Sequence, residues 1–484
     1  MPTPAKAKQL FTNDVFEFVG LGGHNEVGRN CFAAKHHATG KIAVLDVGAF
    51  FCEDFDLSEL YAEDLFGDAF RVSDYLPDFS YLQDDLNEIE AVFISHAHFD
   101  HLLGLIKLWR MCQRIGKRFT IITSRFAYYV ILRLFNQAGI NPPEESDFVF
   151  LNQTNREIQA GPFTFYPCQM VHSTPQSFGT GVSMEGKGLF YAGDFKWQAC
   201  KGDKVINTGK VKRRLQEIAQ TFEIQLIACE ALYCDRPGMT DAEDKVWKGF
   251  KEILDQHKDQ HIAVTFFASH ADRLENCLKL GEEHGLKADF YGRSMLGTIE
   301  AGRQIGLRLP KHDPAECRLH FVTGPQGEPG SITKRMSQGQ KFGFETDVLV
   351  VMSEAIPGYE YNLCEMLIAI HYHFETIYVT TRVWQALLEH VRREYESRDA
   401  DFARMLLEGD EDYWQPGLKN RVVATNGIHV SGHGSVEDIK EFLRQLVPFQ
   451  KTLPEIIPYH IPDAKRPAWR KLLKKFLSES EVKS

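Results

Sequence analysis

The stretch Ser95-His96-Ala97-His98-Phe99-Asp100-His101 packs three imidazoles and a carboxylate into one short loop. The apolar, β-prone run Ala91-Val92-Phe93-Ile94 precedes it and Leu102-Leu103-Gly104-Leu105-Ile106 follows, so the loop sits where a buried strand gives way to a helix. A strand end is a rigid mount for ligands. His96 and His98 alternate across extended backbone while Asp100 and His101 project from the turn beyond, which lets one loop feed two neighbouring metal ions. A chance cluster of surface histidines is the competing reading, and four ligand-type residues at this spacing behind a strand argue against it.

Composition bounds what such a site serves. At 484 residues the chain is too long for one ordinary core, and two or three domains are expected. A hydrophobic content of 43% with 25% charged residues is that of a globular protein. The net charge of −11, from 55 basic and 66 acidic residues, argues against broad electrostatic capture of nucleic acid or an anionic membrane. A polyanion would have to be gripped locally. The ten cysteines contain no CxxC pair and read as free thiols of a reducing compartment. Residues 1–13 lack the apolar core of a signal peptide and no later run reaches membrane-span length, so a cytoplasmic location is expected.

Upstream of the loop, a strand at Phe16-Glu17-Phe18-Val19 runs into the glycine-rich residues 20–28, which read as hairpin punctuation; no lysine or helix start follows to make a phosphate loop. A strand at 42–47 ends in Asp46, which is either a turn former or a carboxylate that orients a ligand histidine. Residues 52–86 read as a long surface excursion. Downstream, a helix at 102–113 and a strand-helix unit at 119–138 lead to a strand delivering His172, and the strand Leu189-Phe190-Tyr191-Ala192 delivers Asp194. Alone, either residue is more often structural than functional.

Taken together, His96-x-His98-x-Asp100-His101, then His172, then Asp194, with Asp46 upstream, resemble the metallo-β-lactamase fold. Leu21-Gly22-Gly23, Pro77-Asp78-Phe79, His172-Ser173-Thr174-Pro175-Gln176 and Gly193-Asp194-Phe195-Lys196 are similar to the ribonuclease J family in particular. The resemblance implies an α/β (α+β) architecture: an αββα metallo-β-lactamase sandwich interrupted by a Rossmann-like β-CASP domain. After about Leu215, strands and helices alternate as βαβ units without a dinucleotide fingerprint, with a strand at 347–352, a helix at about 362–374 and a strand at 376–379. Glu230, Asp235-Arg236-Pro237-Gly238, Phe267-Ala268-Ser269, Tyr291-Gly292-Arg293-Ser294, Thr323-Gly324-Pro325-Gln326-Gly327-Glu328-Pro329 and Ile356-Pro357-Gly358 resemble β-CASP motifs in this order. The expected division is 1–220, first part of the metallo-β-lactamase domain; 221–424, β-CASP domain, with an extra helical insertion at about 380–420; and 425–484, the returning part, with no separate C-terminal domain.

The neighbours of two motif residues depart from the family, with Ala231-Leu232-Tyr233 after Glu230 and Ile461-Pro462 after His460. In the insertion, Val383, Trp384, Leu387, Leu388, Val391 and Tyr395 form a helical stripe, read as packing against the domain, with a homodimer contact as the alternative. Near the end, Trp469, Leu472, Leu473 and Phe476 oppose Arg470, Lys471, Lys474 and Lys475 on one helix, a solvated face by default.

The resemblance implies two divalent ions, Zn²⁺ first and Mn²⁺ second, with His96, His98 and His172 on one, Asp100, His101 and His460 on the other, and Asp194 between them. Asp100, Glu230 and His433 are the implied catalytic residues, with Glu230 orienting His433 to protonate the leaving oxygen. His429, Ser431, Gly432, Ser269 and Arg293 are the implied substrate-binding residues. The implied function is a ribonuclease cutting single-stranded RNA as a 5′→3′ exonuclease, with endonuclease action open. A DNA nuclease of repair or defence and an RNA-binding protein with an impaired site are the alternatives.

Overall fold

A computed structural model of the chain describes residues 5–50, 75–152, 154, 156–200, 206–310, 317–340, 347–356, 359–410 and 415–481. Most of the expected excursion at 52–86, and Pro357 and Gly358, lie outside the described residues. Two compact units are present, one from Met1–Phe51, Ser58–Ala242 and Ser431–Ser484, the other centred on Glu243–Val430.

The first unit is two facing sheets. One orders Lys8–Thr12 (β1), Phe16–Gly22 (β2), Cys31–His36 (β3), Ile42–Val47 (β4), Ile89–Phe93 (β5), Thr120–Ser124 (β6) and Phe148–Leu151 (β7) side by side in chain order. Pairing is antiparallel from β1 to β4 and parallel from β4 to β7. The other sheet contains Ile158–Ala160 (β8), Phe163–Gln169 (β9), Phe178–Met184 (β10), Lys187–Tyr191 (β11) and Glu223–Glu230 (β12). Beyond β12 it is completed by a strand from the far end of the sequence, Glu455–Tyr459, parallel to β12.

Alternation along these strands divides their side chains between two cores. In β9, Phe163 and Phe165 join Phe16, Phe18, Phe32, Phe93 and Tyr191 between the sheets. On the opposite face Tyr166 and Cys168 meet residues of the helices Thr208–Thr221, Val436–Leu443 and Arg466–Glu481. Trp469, Leu472 and Phe476 of the last helix are buried there, whereas Arg470, Lys471, Lys474 and Lys475 are exposed. β12 is buried on both faces and pairs on both edges, so it belongs to this sandwich, and the break expected at 220/221 falls instead between Ala242 and Glu243.

The helix expected at 102–113 is two pieces, Phe99–Leu102 and Leu105–Arg114. Gly104 separates them because the turn presses against the end of β4: a Cβ there would stand 2.9 Å from the Gly48 carbonyl oxygen. Gly48 is tighter still, since its Cβ would lie 1.7 Å from the carbonyl oxygen of Asp100. Glycine at both positions brings the metal-type loop onto β4.

The second unit is built on a parallel sheet. Its strands Ile262–Thr265 (β13), Ala288–Tyr291 (β14), Leu319–Val322 (β15), Val348–Val351 (β16) and Thr376–Thr380 (β17) stand in the order β14, β15, β13, β16, β17, with Val422–Thr425 at the edge. Val348 and Val350 face one apolar core while Leu349 and Val351 face another, so both sides are covered, as a parallel sheet requires. The stripe at 383–391 lies on helix Thr381–Val391, whose Val383, Leu387 and Val391 pack into the second of these cores. Gly409–Asp410 (β18) and Gln415–Pro416 (β19) pair as a small ribbon, which makes the edge strand β20 and Glu455–Tyr459 β21. Among the described residues no helix is long and apolar enough to cross a membrane.

Arg273 ties this unit together: its guanidinium donates to Glu243 at 2.9 and 3.0 Å, to Met352 O at 3.1 Å and to Val430 O at 3.0 Å, in a buried setting. Removing one partner of a buried ion pair strands the other charge and two carbonyls. Arg273→Ala is expected to cost about 3–5 kcal/mol, read as a lowered denaturant midpoint for the second unit.

Candidate metal centre and its surroundings

The loop after β5 leaves the sheet at Ser95, and strand geometry fixes where its side chains go. His96, His98, His172 and Asp194 offer ligand atoms within 4.8 Å of one another, and so do Asp100, His101, Asp194 and His460. Asp194 is common to both groups. His98 Nδ1 stands 3.0 Å from His96 Nε2 and 3.2 Å from His172 Nε2. Asp194 Oδ2 lies 3.1 Å from His101 Nε2, 3.9 Å from His96 Nε2 and 4.0 Å from His460 Nε2.

Burial sets the protonation of these groups. It pushes His98 and His460 down to about 3 and, with the neighbouring imidazoles, holds His96 and His172 well below the usual histidine range. Burial also pushes Asp100 up to about 6. For His101 burial acts downward, but the Asp194, Asp100 and Asp46 carboxylates outweigh it and raise the ring. Neutral nitrogens facing one another at 3.0–3.2 Å are poor partners for themselves and good ones for a cation. The second oxygen of Asp194 is buried with no hydrogen-bond partner, so the residues present fit divalent metal.

Asp46 lies beneath the loop and accepts four hydrogen bonds, from Ser95 N–H at 2.7 Å, Ser95 Oγ–H at 2.7 Å, His101 Nδ1–H at 2.7 Å and Tyr191 O–H at 2.6 Å. Of the two readings of its sequence position, the geometry is that of a carboxylate that orients a histidine. His172 is fixed in a parallel way by donating Nδ1–H to Gly432 O at 2.9 Å.

Glu230 ends β12 and is fully buried; it accepts from Gly434 N–H at 3.0 Å and Leu232 N–H at 3.2 Å. Its Oε2 is 3.6 Å from His433 Nδ1, which is also 3.7 Å from Asp194 Oδ2. Burial lowers the His433 ring, but Glu230 and Asp194 outweigh it and raise it. Burial raises Glu230 against the opposing pull of His433.

The first unit therefore gathers all seven expected metal-type residues with Asp46, Glu230, His433, Ser431 and Gly432. Ser431 Oγ accepts from His433 N–H at 3.0 Å, so it shapes the loop that carries His433. Ser269, Arg293 and His429 belong to the second unit; His429 donates Nδ1–H to Met352 O at 3.2 Å there, half-buried Ser269 precedes helix Ala271–Glu283, and exposed Arg293 opens helix Arg293–Gln304.

Residues 67–224 match the family model described as a beta-lactamase superfamily domain, and residues 259–369 match the Ribonuclease J beta-CASP domain. The chain carries a metallo-β-lactamase domain and a ribonuclease J-type β-CASP domain. Among its relatives are Ribonuclease J of Mycoplasma pneumoniae, 26% identical over 71% of this chain and 60% of that protein, and Ribonuclease J of Thermus thermophilus, 27% identical over 74% and 61%. The chain thus spans about 60% of the length of these curated relatives. A crystal structure of a protein of unknown function from Enterococcus faecalis V583 shares the fold with a TM-score of 0.51 at 13% identity, covering 94% of this chain and 95% of that one. The superfamily-domain match and the two histidine–aspartate groups together point to divalent metal binding.

Several residues around the centre were not singled out in the sequence: Asn30, Ser95, Tyr191 and Asp438. Asp438 accepts from Trp197, Thr240 and Ser435 N–H groups at 2.7–2.9 Å and braces the His433 loop. A Ser-x-x-Asp capping pattern at Ser435 was its visible signal.

Asp46→Asn keeps the size and loses the charge opposite His101. It is expected to weaken metal binding about 10- to 100-fold, measured by competition with a calibrated chelator. Tyr191→Phe removes one of the four donors and is expected to weaken it less.

Proposed function

We propose that this chain is a metal-dependent ribonuclease of RNA processing or decay, hydrolysing phosphodiester bonds of single-stranded RNA in the cytoplasm as a 5′→3′ exonuclease, with endonuclease action as a second mode. The observation that carries the reading is the His433 ring lying 3.6 Å from Glu230 and 3.7 Å from Asp194, the carboxylate shared by both metal-type groups. The relatives named Ribonuclease J and the β-CASP match support RNA as the polymer.

His96, His98 and His172 with Asp194 would hold one ion, and Asp100, His101 and His460 with Asp194 the other. Imidazole-rich donors favour Zn²⁺, then Mn²⁺. Two such ions supply an activated water at neutral pH and neutralise the charge of a phosphodiester.

The protein supplies the rest. Four imidazoles are kept neutral, so their lone pairs stand ready, and Asp46 holds the Nδ1 edge of His101 by accepting its proton in a hydrogen bond. Glu230 and Asp194 favour the protonated form of His433 at its Nδ1 edge, which leaves Nε2–H to donate to the departing oxygen. That ring keeps 18% of its surface open, enough for a substrate atom to reach it. Ser431 and Gly432 of the first unit, and Ser269, Arg293 and His429 of the second, are the proposed substrate-binding residues.

Purified protein incubated with 5′-labelled single-stranded RNA and DNA is expected to release mononucleotides from RNA and to stop when chelator strips the metal. Equal digestion of both polymers would move the reading to a general nuclease. His433→Ala is expected to lower the rate by about 10²- to 10⁴-fold with the metal content unchanged, and full activity in that variant would remove the assigned role.

A further inference from the structure

Asn30 lies at the end of the glycine-rich connection between β2 and β3 and is fully buried. Its backbone is clamped on both sides: Asn30 N–H donates to Asp100 O at 3.0 Å, and Asn30 O accepts from Gly48 N–H at 2.9 Å. From that anchorage the side-chain nitrogen reaches His101 Nε2 at 3.0 Å and His460 Nδ1 at 3.0 Å. One amide thus touches two histidines of the group formed by Asp100, His101, Asp194 and His460. Its oxygen is buried without a hydrogen-bond partner.

The same connection holds His460 from behind. Gly23 has φ +76°, and a Cβ there would stand 2.5 Å from Asn30 Oδ1 and 2.8 Å from Asn30 Cα. Gly23 O accepts His460 N–H at 2.8 Å. The glycine therefore makes room for the amide and fixes the backbone of the histidine it touches. Neither Ile461 nor Pro462 offers a polar side chain to the ring.

His101 gives its Nδ1 proton to Asp46, so with a metal bound its Nε2 is the ligand nitrogen. The side-chain nitrogen of Asn30 faces both His101 Nε2 and His460 Nδ1. A cation in this group claims the His101 lone pair, and an N–H then points at positive charge. A half-turn of the amide exchanges its ends within the same space, places the unspent oxygen at His460 Nδ1–H and leaves His460 Nε2, 4.0 Å from Asp194, for the ion.

We propose that Asn30 is a positioning residue of the second metal position, its amide oxygen accepting from His460 Nδ1–H and aiming that ring at the ion. The proposal rests on the metal reading of the group and is independent of which polymer is cut.

The test is a calorimetric titration of chelator-stripped protein with Co²⁺, followed in parallel by visible absorption, on the wild type, Asn30→Leu and Asn30→Asp. The wild type is expected to take up two ions. Asn30→Leu, of similar size but without an acceptor, is expected to bind the first ion unchanged and the second about 10- to 100-fold more weakly. Asn30→Asp restores an acceptor and is expected to recover the second ion and its absorption band. Unchanged binding of both ions by Asn30→Leu overturns the proposal. Loss of both ions together with a lowered melting temperature of the stripped protein overturns it too, since that is a packing role. A wild type that binds fewer than two ions overturns the two-metal reading itself, and this proposal with it.

Discussion

The carboxylate of Asp46 is the point on which the rest of the centre depends. It receives hydrogen bonds from Ser95 at the exit of β5, from His101 in the helical turn and from Tyr191 at the end of β11. Three segments and both sheets of the sandwich thus converge on one buried negative group. Such a group is costly to bury unless its acceptor sites are filled, and here four donors fill them. Asp46 holds a φ of +55° to reach this place, an unfavourable backbone state for a residue with a side chain, tolerated because the neighbouring strands leave it no alternative. His460, with φ +52°, is held in the same uncommon region on the opposite side of the site.

The order of the metal-type residues was readable because each follows soon after a strand, where pattern and chemistry coincide. His96 through His101 announce themselves by density. His172 and Asp194 needed the loop and the family resemblance before they meant anything, since a lone histidine or aspartate after a strand is ordinary. The expectation that the β-CASP insertion begins at 221 did not survive because a strand buried on both faces looks the same in either unit; only pairing distinguishes them, and β12 pairs with β11 and with Glu455–Tyr459.

What stayed hidden has a common character. Asn30, Ser95, Tyr191 and Asp438 are single polar residues whose importance comes from what other parts of the chain bring to them. Asn30 stood just past the stretch read as hairpin punctuation, and its two partners lie 71 and 430 residues away. The split of the helix at Gly104 was hidden for a related reason: the glycine answers to the Gly48 carbonyl across space, and no local helix preference records that.

The separation of Asn30 from His460 also imposes a timetable on synthesis. A chain emerging from the ribosome can assemble the group of His96, His98, His172 and Asp194 once residue 194 is out, but the neighbouring group waits for residue 460 and for the final strand to dock beside β12. Glu230 likewise lacks its partner until His433 arrives. A nascent polypeptide therefore carries half a centre while residues 195–459 are made, and the docking of Glu455–Tyr459 beside β12 is the same event that finishes the chemistry.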